Sequence, residues 1–165
     1  MEFSGLADCH FPCLRKLVLT LQSGATSRID ASRARFIEAH PTIEELQWIP
    51  ISPVTLAPGS LPVLKRLRTT TRLAISILSD TVNAPRSLEC IYDLFLSSEI
   101  ISELEGVDGR NIRELSISQL DDLSSISKLA DLFPSLTSLA LPPYWVPNSQ
   151  NFHAVRLFLF KVHAL

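Results

Sequence analysis

Apolar positions along this chain follow a spacing of three and then two. In HPTIEELQWIP they are Ile43, Leu46 and Trp48, with charged or polar residues between them. A helix repeats its buried face every three to four residues and an amphipathic strand every two, so neither element alone accounts for the segment. The same spacing recurs with Leu14, Leu17 and Leu19 in FPCLRKLVL, and with Leu64, Leu67 and Thr69 in LPVLKRLRT. It recurs again with Leu88, Ile91 and an off-pattern Asp93, then with Ile112, Leu115 and Ile117, and last with Leu136, Leu139 and Leu141. First positions lie 29, 21, 24, 24 and 24 residues apart. Four copies carry a proline two residues before the first apolar position (Pro12, Pro41, Pro62, Pro134), and a fifth has Pro85 three before.

Residues around the second apolar position are expected to be extended, with side chains alternating between core and surface. The first apolar residue turns inward from the bend that leads into the strand, which widens that gap to three. Proline just upstream suits the bend because it fixes φ and stops a preceding helix. The intervening segments predict return elements. TSRIDASRARFIEAH reads as a helix with a Ser27-x-x-Asp30 capping pattern and Ile29, Phe36 and Ile37 to one side. SSEIISELEG offers Ser97 or Ser98 as N-cap and Gly106 as a stop. SSISKLADLF sets Ile126, Leu129, Leu132 and Phe133 at helical spacing before Pro134, and RLAISILSD predicts a shorter helix. PISPVTLAPGS is too rich in proline for a helix and predicts an extended or 3₁₀ return.

Six near-copies of L-x-x-L-x-L with a period in the twenties resemble the leucine-rich repeat. The resemblance implies an α/β solenoid of about six irregular repeats, with a curved parallel sheet on its concave side and helices or irregular segments on its convex side. Residues 1–10 are then a short lead-in, 11–141 the solenoid, and 142–165 a capping or truncated segment. The consensus continues into an Asn or Cys that bonds the backbone of the turn after the strand. The corresponding positions here are Gln22, Ile51, Arg72, Leu96, Leu120 and Tyr144, so the array is divergent. Phe36, Ile37, His40, Pro41, Ile43, Leu46 and Trp48, followed by Leu61, Pro62, Leu64 and Leu67, are similar to the repeat regions of fungal F-box proteins. That likeness implies recognition of a substrate protein for a ubiquitin ligase. The residues before the first repeat lack the L-P-x-E-I/L opening of an F-box, so contact with the Skp1 adaptor is expected only of a longer parent.

Composition narrows the classes. Apolar content of 46% with 19% charged residues is that of a globular chain, and a net charge of −2 supplies no global field for nucleic acid or an anionic membrane. The C-terminal VRLFLFKVHAL is too short and too charged to span a bilayer, and in a solenoid it would cap the open end of the core. Three sparse cysteines do not make a disulfide framework, and MEFSGLADCH has no basic or apolar signal region, so an intracellular, reducing location is expected.

Candidate chemistry is thin. Cys9-His10-x-x-Cys13 is the one compact set of soft ligands, and a structural zinc site needs about four, with His40 and Cys90 isolated in other repeats. A metal-binding or hydrolytic protein would have to assemble its site from Cys9, His10, Cys13 and Cys90. The default for the Cys9–Cys13 cluster is a buried or partly buried thiol, and no cofactor is expected. His40, before a proline at a helix end, is expected to cap or stabilise the helix C-terminus. No G-x-S-x-G, H-E-x-x-H or Gly-rich phosphate loop occurs, which argues against an enzyme.

A binding surface remains. Residues flanking each middle apolar position are expected on the concave face: Lys16 and Val18, Glu45 and Gln47, Arg66 and Arg68, Cys90 and Tyr92, Glu114 and Ser116, Ser138 and Ala140. Charges alternate between successive copies, so they can neutralise one another across strands ~4.8 Å apart. A protein partner on this face would involve Lys16, Glu45, Gln47, Arg66, Arg68, Arg72, Tyr92 and Glu114, with Arg66, Arg68, Arg72 and an exposed Tyr92 at its centre. The expected function is a protein–protein interaction scaffold, and the alternative is a truncated repeat fragment without a role of its own.

Overall fold

The computed structural model describes residues 9–20, 27–80, 82, 87–121 and 124–142. The chain is α/β and divides into two compact units, Met1–Leu88 and Glu89–Leu165. The first holds β1 (Lys16–Leu19), α1 (Ser27–Glu38), β2 (Glu45–Trp48), β3 (Arg66–Arg68) and α2 (Thr71–Leu78). The second holds β4 (Cys90–Leu96), α3 (Ser98–Leu104), β5 (Glu114–Leu120), α4 (Ser124–Leu132) and β6 (Ser138–Ala140).

The three-then-two spacing has a local cause that is the same in both units. Five strands are preceded by a turn closed by an N–H to carbonyl bond between residues three apart. The pairs are Leu14 to Phe11, Ile43 to His40, Leu64 to Leu61, Ile112 to Gly109 and Leu136 to Phe133, at 3.1 to 3.3 Å. Pro12, Pro41, Pro62 and Pro134 stand second in these turns, where the ring's fixed φ fits the turn and no N–H is needed. The proline therefore forms the turn into the strand as well as ending what precedes it.

In the first unit β1 runs parallel to β2 and β2 to β3, without a register break. Equivalent positions of successive copies lie opposite: Lys16, Glu45 and Arg66 in one row, Leu17, Leu46 and Leu67 in the next. Ile43, Leu46, Trp48, Leu64 and Leu67 are all but fully buried, and Phe36 and Ile37 of α1 join them. Such burial stabilises by about 1.5–3 kcal/mol per large side chain. Thr69 takes the third apolar position as a buried residue whose hydroxyl has no hydrogen-bond partner, and the Trp48 indole N–H is likewise unpaired.

The return segment 51–60 contains no helix, and carboxylates from neighbouring elements hold it. Asp30 on α1 accepts from the Ile51 and Ser52 N–H groups at 2.8 and 3.0 Å and from the Ser52 hydroxyl at 3.2 Å. Glu38 accepts from Ala57 N–H at 2.7 Å and Asp80 from Gly59 N–H at 2.8 Å. The segment leaves through Gly59 and Leu61, both at positive φ, 82° and 58°. Asp30 corrects its expected role as part of a cap, since its carboxylate is spent on the loop after β2.

In the second unit β4 pairs parallel with β5 and β5 with β6. Here the off-pattern Asp93 marks a distortion. It adopts φ 64°, the β4–β5 register shifts on either side of Leu94, and Leu94 fills the core place. Beyond the shift β4 continues with Leu96 buried. Ser97 caps α3 by accepting from Ile100 N–H at 3.3 Å. Ile126, Leu129 and Phe133 are buried as their spacing predicts, whereas Leu132 is half-buried. Among the described residues no helix is long and apolar enough to cross a membrane. The expectation for 142–165 falls outside the described residues from 143 onward.

Candidate functional site

The outward row of the first unit is an ion-pair ladder. Glu45 lies between Lys16 and Arg66, at 2.9 and 2.6 Å. One residue earlier in each copy, Glu44 lies between Arg15 and Lys65, at 3.2 and 2.8 Å. Parallel in-register pairing puts equivalent residues opposite one another, so the alternation of sign along the sequence becomes contact across strands. Both carboxylates are held below their usual range, Glu44 first by the Lys65 hydrogen bond and Glu45 first by Lys16 and then Arg66. The cross-strand pairing expected from the sequence is thus present in this unit.

Four basic side chains, Arg15, Lys16, Lys65 and Arg66, thus pair with two glutamates, and Arg68, two residues after Arg66 on β3, is exposed. Val18 is 45% exposed beside Lys16, and Gln47 is half-buried between Val18 and Arg68. At the ends of the strands where the turns lie, Pro12, Pro41 and Pro62 line a groove of about 510 Å³. Cys13, Val63 and the ladder residues Arg15, Glu44 and Lys65 line it too. Arg72 stands apart from the strands, exposed in the first turn of α2.

The remaining candidates belong to the second unit. Tyr92 is half-buried where an exposed anchor was expected, and its hydroxyl donates to Glu114 at 3.0 Å. Burial first, and then bonding with Cys90 and Glu114, pushes the phenol well above its ordinary value. Tyr92 and Glu114 therefore hold each other. Cys90 lies opposite Glu114 in the outward row and is nonetheless buried. Cys9 and Cys13 reverse the expectation of buried thiols, as both are exposed. Among the described residues no three His, Cys, Asp or Glu side chains cluster as metal ligands would.

His40 serves α1, as its position predicts. Its ring is buried, with Nε2 accepting from Phe11 N–H at 2.9 Å and Nδ1 2.6 Å from the Phe36 carbonyl. Accepting at Nε2 places the proton on Nδ1, which donates to a terminal carbonyl of the helix. The residues missed by the sequence reading are Asp30 and Arg33, a buried pair 3.9 Å apart whose Arg33 Nη2 donates to the Thr20 carbonyl at 3.1 Å. Nothing local distinguishes them from the other polar residues of an amphipathic helix.

Compared with known proteins, the chain matches no family model, no curated protein and no solved structure.

Proposed function

We propose that the chain is a leucine-rich-repeat type solenoid that serves as a protein-binding scaffold, and that it receives an acidic partner on the outward face of β1–β3. The observation that carries this reading is a preformed surface on which basic side chains are already held in place. Ion pairs hold Arg15, Lys16, Lys65 and Arg66 in place around two carboxylates, Glu44 and Glu45. Held charges lose little freedom on binding and favour a partner of opposite sign, chiefly through the encounter rate. Recognition of a substrate for a ubiquitin ligase is the narrower form of the proposal and rests on the sequence likeness at His40, Pro41, Ile43, Leu46 and Trp48.

Affinity capture from source cells, comparing wild type with Arg66→Glu/Arg68→Glu, tests the surface. A partner recovered with wild type and lost with the double variant, at unchanged melting, supports it. Equal recovery with both, or none with either, overturns it.

A further inference from the structure

Among the described residues, the edge of β1 that faces away from β2 is a second surface, separate from the outward face. Among the described residues β1 pairs on one side only, with β2. The Arg15 carbonyl accepts from Glu45 N–H at 2.9 Å, which points the backbone groups of Arg15, Leu17 and Leu19 toward β2. Those of Lys16 and Val18 consequently point away from it, and such an edge is a template for another strand. Side-chain burial agrees. Leu14, Leu17 and Leu19 are half-buried, whereas Ile43, Leu46 and Trp48 at the same positions of the next copy are 0–2% exposed.

Charge selects the occupant. Arg15 and Lys16 are 78% and 68% exposed and meet a carboxylate on the β2 side. Two copies of β1 laid parallel and in register would set Arg15 against Arg15 and Lys16 against Lys16, a like-charge arrangement that disfavours self-pairing. The ladder instead continues with acids at both positions. We propose that the β1 edge captures an extended partner segment of the form apolar-acid-acid-apolar-x-apolar, added parallel to β1. Its acids meet Arg15 and Lys16, and its apolar residues cover Leu14, Leu17 and Leu19. Backbone bonds to Lys16 and Val18 supply attraction without sequence preference, and the two charge pairs and three apolar contacts supply selection.

The chain holds a ready probe, since Ile43-Glu44-Glu45-Leu46-Gln47-Trp48 has this form and already pairs with the other side of β1. A fluorescent peptide TIEELQWI, titrated against the full chain and followed by anisotropy, is expected to bind saturably. Replacing both glutamates by lysine should weaken it about tenfold or more, from two cross-strand pairs made repulsive. Arg15→Glu/Lys16→Glu should invert that preference. Val18→Pro, which removes an outward N–H without touching a β2 bond, should abolish binding at an unchanged melting temperature; if it melts early, the charge-inversion result decides. Absence of saturation, equal binding of the acidic and basic peptides, or binding lost in Arg66→Glu/Arg68→Glu but kept in both β1 variants would overturn the proposal.

Discussion

β2 has four residues, keeps one register with both neighbours and presents Glu45 and Gln47 outward. β4 has seven, shifts register beside Leu94, and buries Cys90 where the pattern expects an outward side chain. Both begin from the same three-then-two spacing. The difference lies at the third apolar position. Trp48 fills it in β2 and the strand ends. In the fourth copy Asp93 would bring a carboxylate into an apolar core at a cost of several kcal/mol. A left-handed residue there lets the carboxylate escape and Leu94 take the core place, and the strand lengthens. One polar residue thus separates a regular strand from an irregular one.

The largest expected effect concerns the buried polar clamp of the first unit. Asp30→Ala leaves Arg33 buried without its carboxylate and frees the 51–52 backbone, and should cost ~3–5 kcal/mol in denaturant unfolding. Hydrogen exchange should rise over residues 27–56 and stay unchanged over 89–121; a uniform rise would erase the distinction between the units. Leu115→Ala, a truncation at a 2% exposed core position of β5, should cost ~2–5 kcal/mol with the opposite exchange pattern. An unchanged melting curve would refute its placement. Next is Gly109→Ala, whose added Cβ would lie 2.5 Å from the Leu132 carbonyl and the Phe133 ring. Overpacking there should lower stability by ~1–3 kcal/mol, read in the same assay.

Thr69→Val tests the first unit in the other direction. It replaces a buried hydroxyl that has no partner by a methyl group of similar shape, and should raise stability by about 1 kcal/mol. A loss would mean that the hydroxyl makes a bond. The smallest effect is electrostatic. Bonds from the Arg110 guanidinium and then its backbone N–H lower Asp108 from 3.8 to about 2. A depressed carboxyl contributes stability that is complete above its unfolded value and is lost as pH falls toward 2. Arg110→Ala should return the Asp108 titration, followed by carboxyl NMR, toward 3.8.

Much of the architecture was legible because it is local. Proline second in a turn, an apolar residue at its close, and alternation along the next few residues are decided within seven positions. Among the described residues the places of the strands and helices follow from that and from caps such as Ser97, though the length of β4 does not. The outward charges were legible too, because equal spacing in the sequence becomes adjacency across parallel strands. The burial of Cys90 and Tyr92 was not legible, because it depends on contacts made once the strands are paired, such as the Tyr92–Glu114 bond.

The sequence by itself determined the turns, the strands, the parallel order within each unit, and the sign alternation of the ladder. These depend on residues close in the chain or repeated at nearly constant intervals. The tertiary structure alone decided that Asp30 would hold a loop 21 residues away, that Leu94 would replace Asp93, and that the leucines of β1 would stay half-covered. Each of those depends on which backbone groups and surfaces lack a partner once the elements are packed, and no local pattern records that.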